Sequence, residues 1–303
     1  MDSYIGTVAT IEVTLFNDPG CPWGYSESPA LAVLRWRYGS QLQWRLVTIG
    51  LAESTERYAQ AGYTPTRMVA GQIMFRERYG MPFALAPRER VLATARACRA
   101  IVATRLLDPA REFAVLRALQ LAWFNTTLLL DEDAGLTQAL QAVAGLDAHG
   151  IVAALDDPRV GEAYEADKRE TRDAEGGPTH FQGKARQTDG PVRYSAPSLV
   201  FTAREGAAAA RRLEAGGFQT VEAYDVLIAN LDSTLRREPP PESPLVALQR
   251  FPDGLVTQEV AAIMAVGNDP PDRAAAERAL VALVGAGSAR RTPLGGDALW
   301  QAA

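Results

Sequence analysis

The chain reads as an α/β protein with a helical insertion and a small separate unit at its C-terminus. Three observations predict this. A strand, a helix and a second strand follow one another between residues 11 and 49. About a hundred residues with helical periodicity come next. A proline-rich stretch then precedes a last segment of mixed pattern.

Ile11-Glu-Val-Thr-Leu-Phe16 alternates and is rich in β-formers, which predicts the first strand. From Pro22 to about Tyr38 helix formers carry an apolar stripe through Leu31 and Leu34, and Leu42 to Ile49 reads as a second strand. Such a β-α-β unit has parallel strands and a right-handed crossover. Gly50 to Pro65 reads as a loop. From about Thr66 to Arg169 the period is helical: Val91, Ala95, Cys98 and Val102 share one face. A further helix carries Phe113, Leu116 and Trp123. Asp131 to Val143 and Ala148 to Leu155 extend the block, and Asp156-Asp-Pro-Arg ends one helix and starts another.

Residues 173–196 combine glycines, polar side chains and prolines, so they read as a long loop. Pro197 to Thr202 returns to strand character, a strand is expected after Gly216-Gly-Phe218, and Val221 to Arg237 is an amphipathic helix. Pro239-Pro-Pro241 with Ser243-Pro244 marks a stiff boundary. Beyond it, Thr257 to Ala265 and Asp272 to Val284 read as helices, Asp272 as an N-cap. Gly295-Gly296 joins two hairpin strands. This pattern is winged-helix-like. Few basic residues accompany Arg290 and Arg291, so packing or dimerisation is expected of it rather than DNA contact.

Composition narrows the function. The 303 residues are 47% hydrophobic and 22% charged, with a net charge of −5, which gives no reason to expect nucleic-acid or membrane binding. Lysine occurs only at Lys168 and Lys184. Met1-Asp-Ser-Tyr-Ile-Gly lacks the basic and apolar regions of a secretory signal, no run is long enough to span a bilayer, and two cysteines make no disulfide framework. A cytoplasmic protein with reduced thiols is expected.

Chemistry concentrates in Asp18-Pro-Gly-Cys-Pro-Trp-Gly-Tyr25, which joins the first strand to the first helix. Free amides and the positive dipole end at a helix start favour a thiolate on Cys21, and Pro22 suits the first turn. A two-cysteine redox motif would place its second sulfur at position 24, where Gly24 stands. Trp23 and Tyr25 are candidates to line a pocket, Tyr25 through its hydroxyl. Asp18 reads as a turn cap, and Cys98 as a core residue on an apolar helical face. His149 and His180 have no metal-ligand spacing, so no metal is expected. His180 precedes Ser195-Ala-Pro197 in the same loop.

Cys21-Pro-Trp-Gly-Tyr25 and Ser195-Ala-Pro-Ser198, ahead of Leu199-Val-Phe201, together resemble the DsbA-like branch of the thioredoxin superfamily over roughly residues 9–237. That branch includes FrnE-type proteins, 2-hydroxychromene-2-carboxylate isomerases and kappa-class glutathione transferases. The resemblance implies a thioredoxin-like fold in two parts, 9–60 and 170–238, around an inserted all-helical domain, 61–169, with the winged-helix-like unit at 245–303 outside it. It further implies that Pro197 is a cis-proline and that Ala196 presents its backbone to a thiol substrate. Gly24 departs from the motif, since FrnE-type members carry cysteine there. Without that sulfur a mixed disulfide on Cys21 needs an outside thiol to resolve it. The expected activity is therefore monothiol thiol–disulfide exchange on a small thiol or protein disulfide. Its cosubstrate would be a glutathione-like or mycothiol-like thiol, with no tightly bound cofactor. The alternatives are a kappa-class-like transferase or isomerase, and a non-catalytic module.

Overall fold

The computed structural model describes residues 10–187, 190–205, 209–267 and 269–303. Met1-Asp-Ser-Tyr-Ile-Gly and residue 9, the first of the expected fold, lie outside them. Strand β1 (Ile11–Asn17) leads into α1 (Pro22–Ser26) and α2 (Ser28–Tyr38), then β2 (Leu42–Thr48). The expected single helix is interrupted at Glu27, two residues before Pro29, which has no N–H to give the helical ladder. β1 and β2 pair in parallel from Ile11 with Leu42 to Asn17 with Thr48.

Eight helices follow: α3 (Glu56–Gln60), α4 (Pro65–Tyr79), α5 (Ala95–Leu107), α6 (Glu112–Asn125), α7 (Asp133–Leu140), α8 (Ala148–Ala153), α9 (Pro158–Thr171) and α10 (Pro178–Phe181). The short α3 and α10 lie in stretches that read as loops. Asp157 caps α9 through the Arg159 amide, with Pro158 at its first position, as the sequence signals. Val91 departs from expectation. It lies before α5, in an irregular stretch from 80 to 94, so only Ala95, Cys98 and Val102 lie on that helix.

β3 (Ser198–Ala203) and β4 (Arg212–Gly216) complete an antiparallel half, giving the sheet order β2-β1-β3-β4. β4 ends at Gly216, rather than following Phe218 as expected. An edge strand with one covered face carries little apolar signal, and Arg212, Leu213 and Glu214 supply almost none. α11 (Val221–Leu231) ends six residues short of Arg237. β1 is buried on both faces: Ile11, Val13 and Leu15 pack with Leu34, Leu46 and Phe201, while Phe16 stacks on Tyr194 at 4.3 Å on the other side.

The C-terminal elements are α12 (Pro244–Arg250), β5 (Leu255–Val256), α13 (Thr257–Met264), α14 (Arg273–Gly285), β6 (Ala289–Leu294) and β7 (Asp297–Ala302). The strands form an antiparallel sheet ordered β5-β7-β6, and Asp272 caps α14 as expected. The proline-rich stretch is pinned down, because Trp36 Nε1 donates to the Pro239 carbonyl at 2.7 Å and the Glu238 amide to Arg37 at 2.8 Å. Ala32, Val33 and Trp36 of α2 share one core with Leu248, Val260, Leu280 and Trp300. α2 thus packs the sheet with Leu31, Leu34 and Tyr38, and the C-terminal elements with its opposite side. No described helix is long and apolar enough to cross a membrane.

Candidate active site

β1 ends at Asn17, and the turn that follows is built by Asp18. Its Oδ1 accepts from the Gly20 amide at 2.9 Å, and its main-chain carbonyl accepts from the Cys21 amide at 3.1 Å. Capping was the expected role, but Asp18 does more. It is fully buried, and its Oδ2 also accepts from the Leu51 amide at 2.8 Å, Thr94 Oγ1 at 3.1 Å and Cys98 Sγ at 3.4 Å. Burial raises its pKa, against the pull of these donors.

Cys21 is the N-cap of α1, as the sequence predicts. Its Sγ donates to the Ala196 carbonyl at 3.3 Å, and the Ala196–Pro197 bond is cis. Two segments 175 residues apart therefore meet at the sulfur. The expected thiolate is not what this environment favours. Cys21 is only 5% exposed, in one buried cluster with Val192, Tyr194 and Ala196, and burial pushes its pKa up to about 12. The Gly24 and Trp23 amides and the Arg193 charge pull it down, as a helix start should, but burial and the Asp18 charge outweigh them. At neutral pH the resting group is a thiol.

At position 24 the space that any side chain would enter is already taken. A Cβ on Gly24 would lie 2.0 Å from Asn17 Oδ1, which is held in place by the Asp18 amide at 2.8 Å. Trp23, 39% exposed, packs edge-on against Phe75 of α4 at 4.9 Å. With Tyr58, Tyr63, Met68 and Phe75 it walls a largely apolar cavity of about 350 Å³ that reaches Gly20 and Pro22 on either side of Cys21.

Tyr25 does not join this mouth. Its hydroxyl donates to the Pro82 carbonyl and accepts from Asn125 Nδ2, each at 3.0 Å, and its ring stacks on Phe124. It fixes α1 to the helical block. Cys98 is buried as expected, and through Asp18 it also touches the back of the site. Both cysteines are free. His149 and His180 are exposed, and His180 Nδ1 accepts from the Gly176 amide instead of facing the site. No metal-binding group of three or more ligands occurs among the described residues.

Sequence reasoning missed Asn17, Arg193 and Tyr58. Asn17 is the polar end of a strand, and its closeness to Gly24 arises only when α1 folds back on β1. Arg193 precedes Ser195-Ala-Pro197 by two residues, but its effect on Cys21 depends on the tertiary approach of that loop.

A family model described as a DSBA-like thioredoxin domain matches residues 12–195. Among solved structures, a Nitrosomonas europaea protein provisionally assigned as a protein disulfide isomerase is 18% identical, with a TM-score of 0.53 over 73% of this chain and 97% of that one. The cytosolic disulfide reductase DsbM of Pseudomonas aeruginosa is 17% identical, with a TM-score of 0.50 over 74% and 100%. A Streptomyces coelicolor protein, provisionally assigned as a DsbA oxidoreductase, is 18% identical, with a TM-score of 0.52 over 74% and 91%. At such identities the likeness is one of fold. No curated protein sequence matches the chain. The family match spans well over half of the chain, from β1 through Cys21 to Ser195, and the chain belongs to the family of DSBA-like thioredoxin-domain proteins.

Proposed function

We propose that this chain is a cytoplasmic thiol–disulfide oxidoreductase working through Cys21 alone, with a glutathione-like or mycothiol-like thiol as cosubstrate. The observation that carries this reading is the contact of Cys21 Sγ with the Ala196 carbonyl beside the cis-proline, in a site where Asn17 occupies the place of a second cysteine. A thiol peptide pairing with the Ala196 backbone as an added strand would compete for that carbonyl and free the sulfur. Trp23 and the α4 wall would hold the substrate body, and Gly24 would let α1 pass close to Asn17.

In the first step Cys21 attacks one sulfur of a disulfide R–S–S–R′. The S–S bond breaks, Cys21–S–S–R forms, and the Cys21 proton leaves with R′–S–H. A second thiol R–S–H then attacks the Cys21 mixed disulfide, giving R–S–S–R and returning the proton to Cys21. The sum converts R–S–S–R′ and R–S–H into R–S–S–R and R′–S–H. The protein gains and loses no electrons overall.

A buried neutral thiol also suits the transferase or isomerase reading, in which the bound thiol is the nucleophile and Cys21 only donates a hydrogen bond to it. For the C-terminal unit we favour a winged-helix-like packing or dimerisation role.

Iodoacetamide labelling tests the resting state. With its pKa pushed up to about 12 by burial, Cys21 should be alkylated more slowly at pH 7 than a free cysteine, at a rate that keeps rising beyond pH 10. A plateau near neutral pH would contradict this environment. Glutathione disulfide should leave one mass adduct, on Cys21, that persists until a thiol is added. Loss of the adduct without added thiol would overturn the single-cysteine cycle. If Cys21→Ser keeps thiol-conjugating activity, the transferase reading replaces it.

A further inference from the structure

A second cavity, of about 310 Å³, opens between α2, α6 and the segment that joins α12 to β5. Arg35 lines it. The guanidinium lies over the rings of Phe113 and Trp44, 4.6 and 5.1 Å from their centroids, yet its side chain forms no hydrogen bond or ion pair with any described residue. Gln120, 6% exposed, lines the same space, and its amide nitrogen has no partner. Arg117 Nε is likewise an enclosed donor without an acceptor. The unmatched buried groups around this cavity are all donors, so what complements them is an acceptor.

Charge narrows the choice. Arg117 is already matched by Glu259. Arg35, half-buried, has no ion-pair partner of its own among the described residues; burial and then the like charge of Arg117 lower its pKa to about 10, against the weaker pull of Glu259 and Asp253. Arg250, stacked over Trp36, and the exposed Asp253 also line the cavity. One net positive charge suits a monoanion, and the Glu259 and Asp253 carboxylates disfavour a doubly charged phosphate. Leu31, Leu116 and Phe113 give the cavity apolar walls.

We propose that this cavity binds a small organic carboxylate, its head on Arg35 and Gln120 and its apolar body against Phe113 and Leu31. Planar guanidinium–carboxylate pairing supplies the orientation, and the rings that flank Arg35 hold the fork in place. The site is separate from the Cys21 mouth, although its floor includes Asn17, the residue packed against Gly24. It does not depend on the thiol chemistry proposed above.

Isothermal titration of the full chain with benzoate and with hexanoate tests this, with benzamide as the neutral isostere of benzoate. At least one carboxylate should bind saturably at about 1 mM or tighter, in keeping with the affinity such small ligands reach. Benzamide should bind roughly 10-fold or more weakly. Arg35→Gln should weaken the carboxylate roughly 10- to 100-fold, as loss of a charged hydrogen-bond pair does. Ala114→Phe, which adds a ring to the cavity wall while keeping the Arg35 side chain, should abolish binding and guards against a folding defect in the first variant. Cys21→Ser should bind like the parent. Benzamide binding equal to benzoate, no saturation by either carboxylate up to about 10 mM, or unchanged binding in Ala114→Phe would each overturn the proposal.

Discussion

Gly24→Cys is expected to destabilise the protein by about 1–3 kcal/mol and to give no disulfide between Cys21 and the introduced sulfur. The added Cβ would fall 2.0 Å from Asn17 Oδ1 and 2.9 Å from its Cγ. Neither side can yield cheaply. Asn17 ends the central strand, is 1% exposed and is tied to the Asp18 amide, while α1 is fixed by the Tyr25 hydroxyl bonds to Pro82 and Asn125. Asn17→Ala removes the obstruction at the loss of one hydrogen bond, about 1 kcal/mol. The double variant should therefore be more stable than the sum of the single changes, and on oxidation it should lose two titratable thiols. Urea unfolding and thiol counting decide the matter. A single Gly24→Cys variant as stable as the parent, and readily oxidised, would show that the site tolerates a dithiol.

Arg117→Met should cost about 3–5 kcal/mol, the penalty of leaving a buried charge without its partner. Glu259 is buried on α13, and both its oxygens meet Arg117 of α6, at 2.6 and 2.7 Å, with the Val256 amide and Ser28 as further donors. Burial raises the Glu259 pKa, but the charge and hydrogen bonds of Arg117 outweigh it and hold the carboxyl below its usual range. A lowered folded pKa means that this stabilisation is present above the unfolded carboxylate value, about 4.3, and is lost as pH falls through the folded one. In Arg117→Met the sign reverses: with desolvation left dominant, the variant should recover stability on mild acidification. Denaturant melts at several pH values would reveal this. A loss below about 1 kcal/mol would mean that the pair behaves like a surface ion pair.

Much of the fold was legible because local chemistry agreed with it. The β-rich run at 11–16, the placement of Pro22 after Cys21, the Asp157-Pro158 helix start and the Gly295-Gly296 hairpin each specify their element without help from distant residues. Val91 misled because its spacing to Ala95 matches a helical face while the chain from 80 to 94 packs irregularly, with Leu85 at φ +53°. The candidate site divides in the same way. The position of Cys21 at a helix start is local, and the sequence showed it. The meeting with Pro197 came through family resemblance, since no periodicity spans 175 residues. The sulfur's protonation departs from the sequence expectation because the first-turn amides are visible in sequence, whereas the buried cluster around Cys21 exists only after folding.

α2 offers almost no side to water, because the main sheet claims one flank and the C-terminal elements the other. Neither body of packing can melt and leave this helix intact, so the halves of the molecule should lose order together. The turn that presents Cys21 is separated from that helix only by the five residues of α1 and Glu27. The described residues of the last sixty thus back the reactive end of the chain through α2, while the core cluster that holds Cys21 is drawn from other elements.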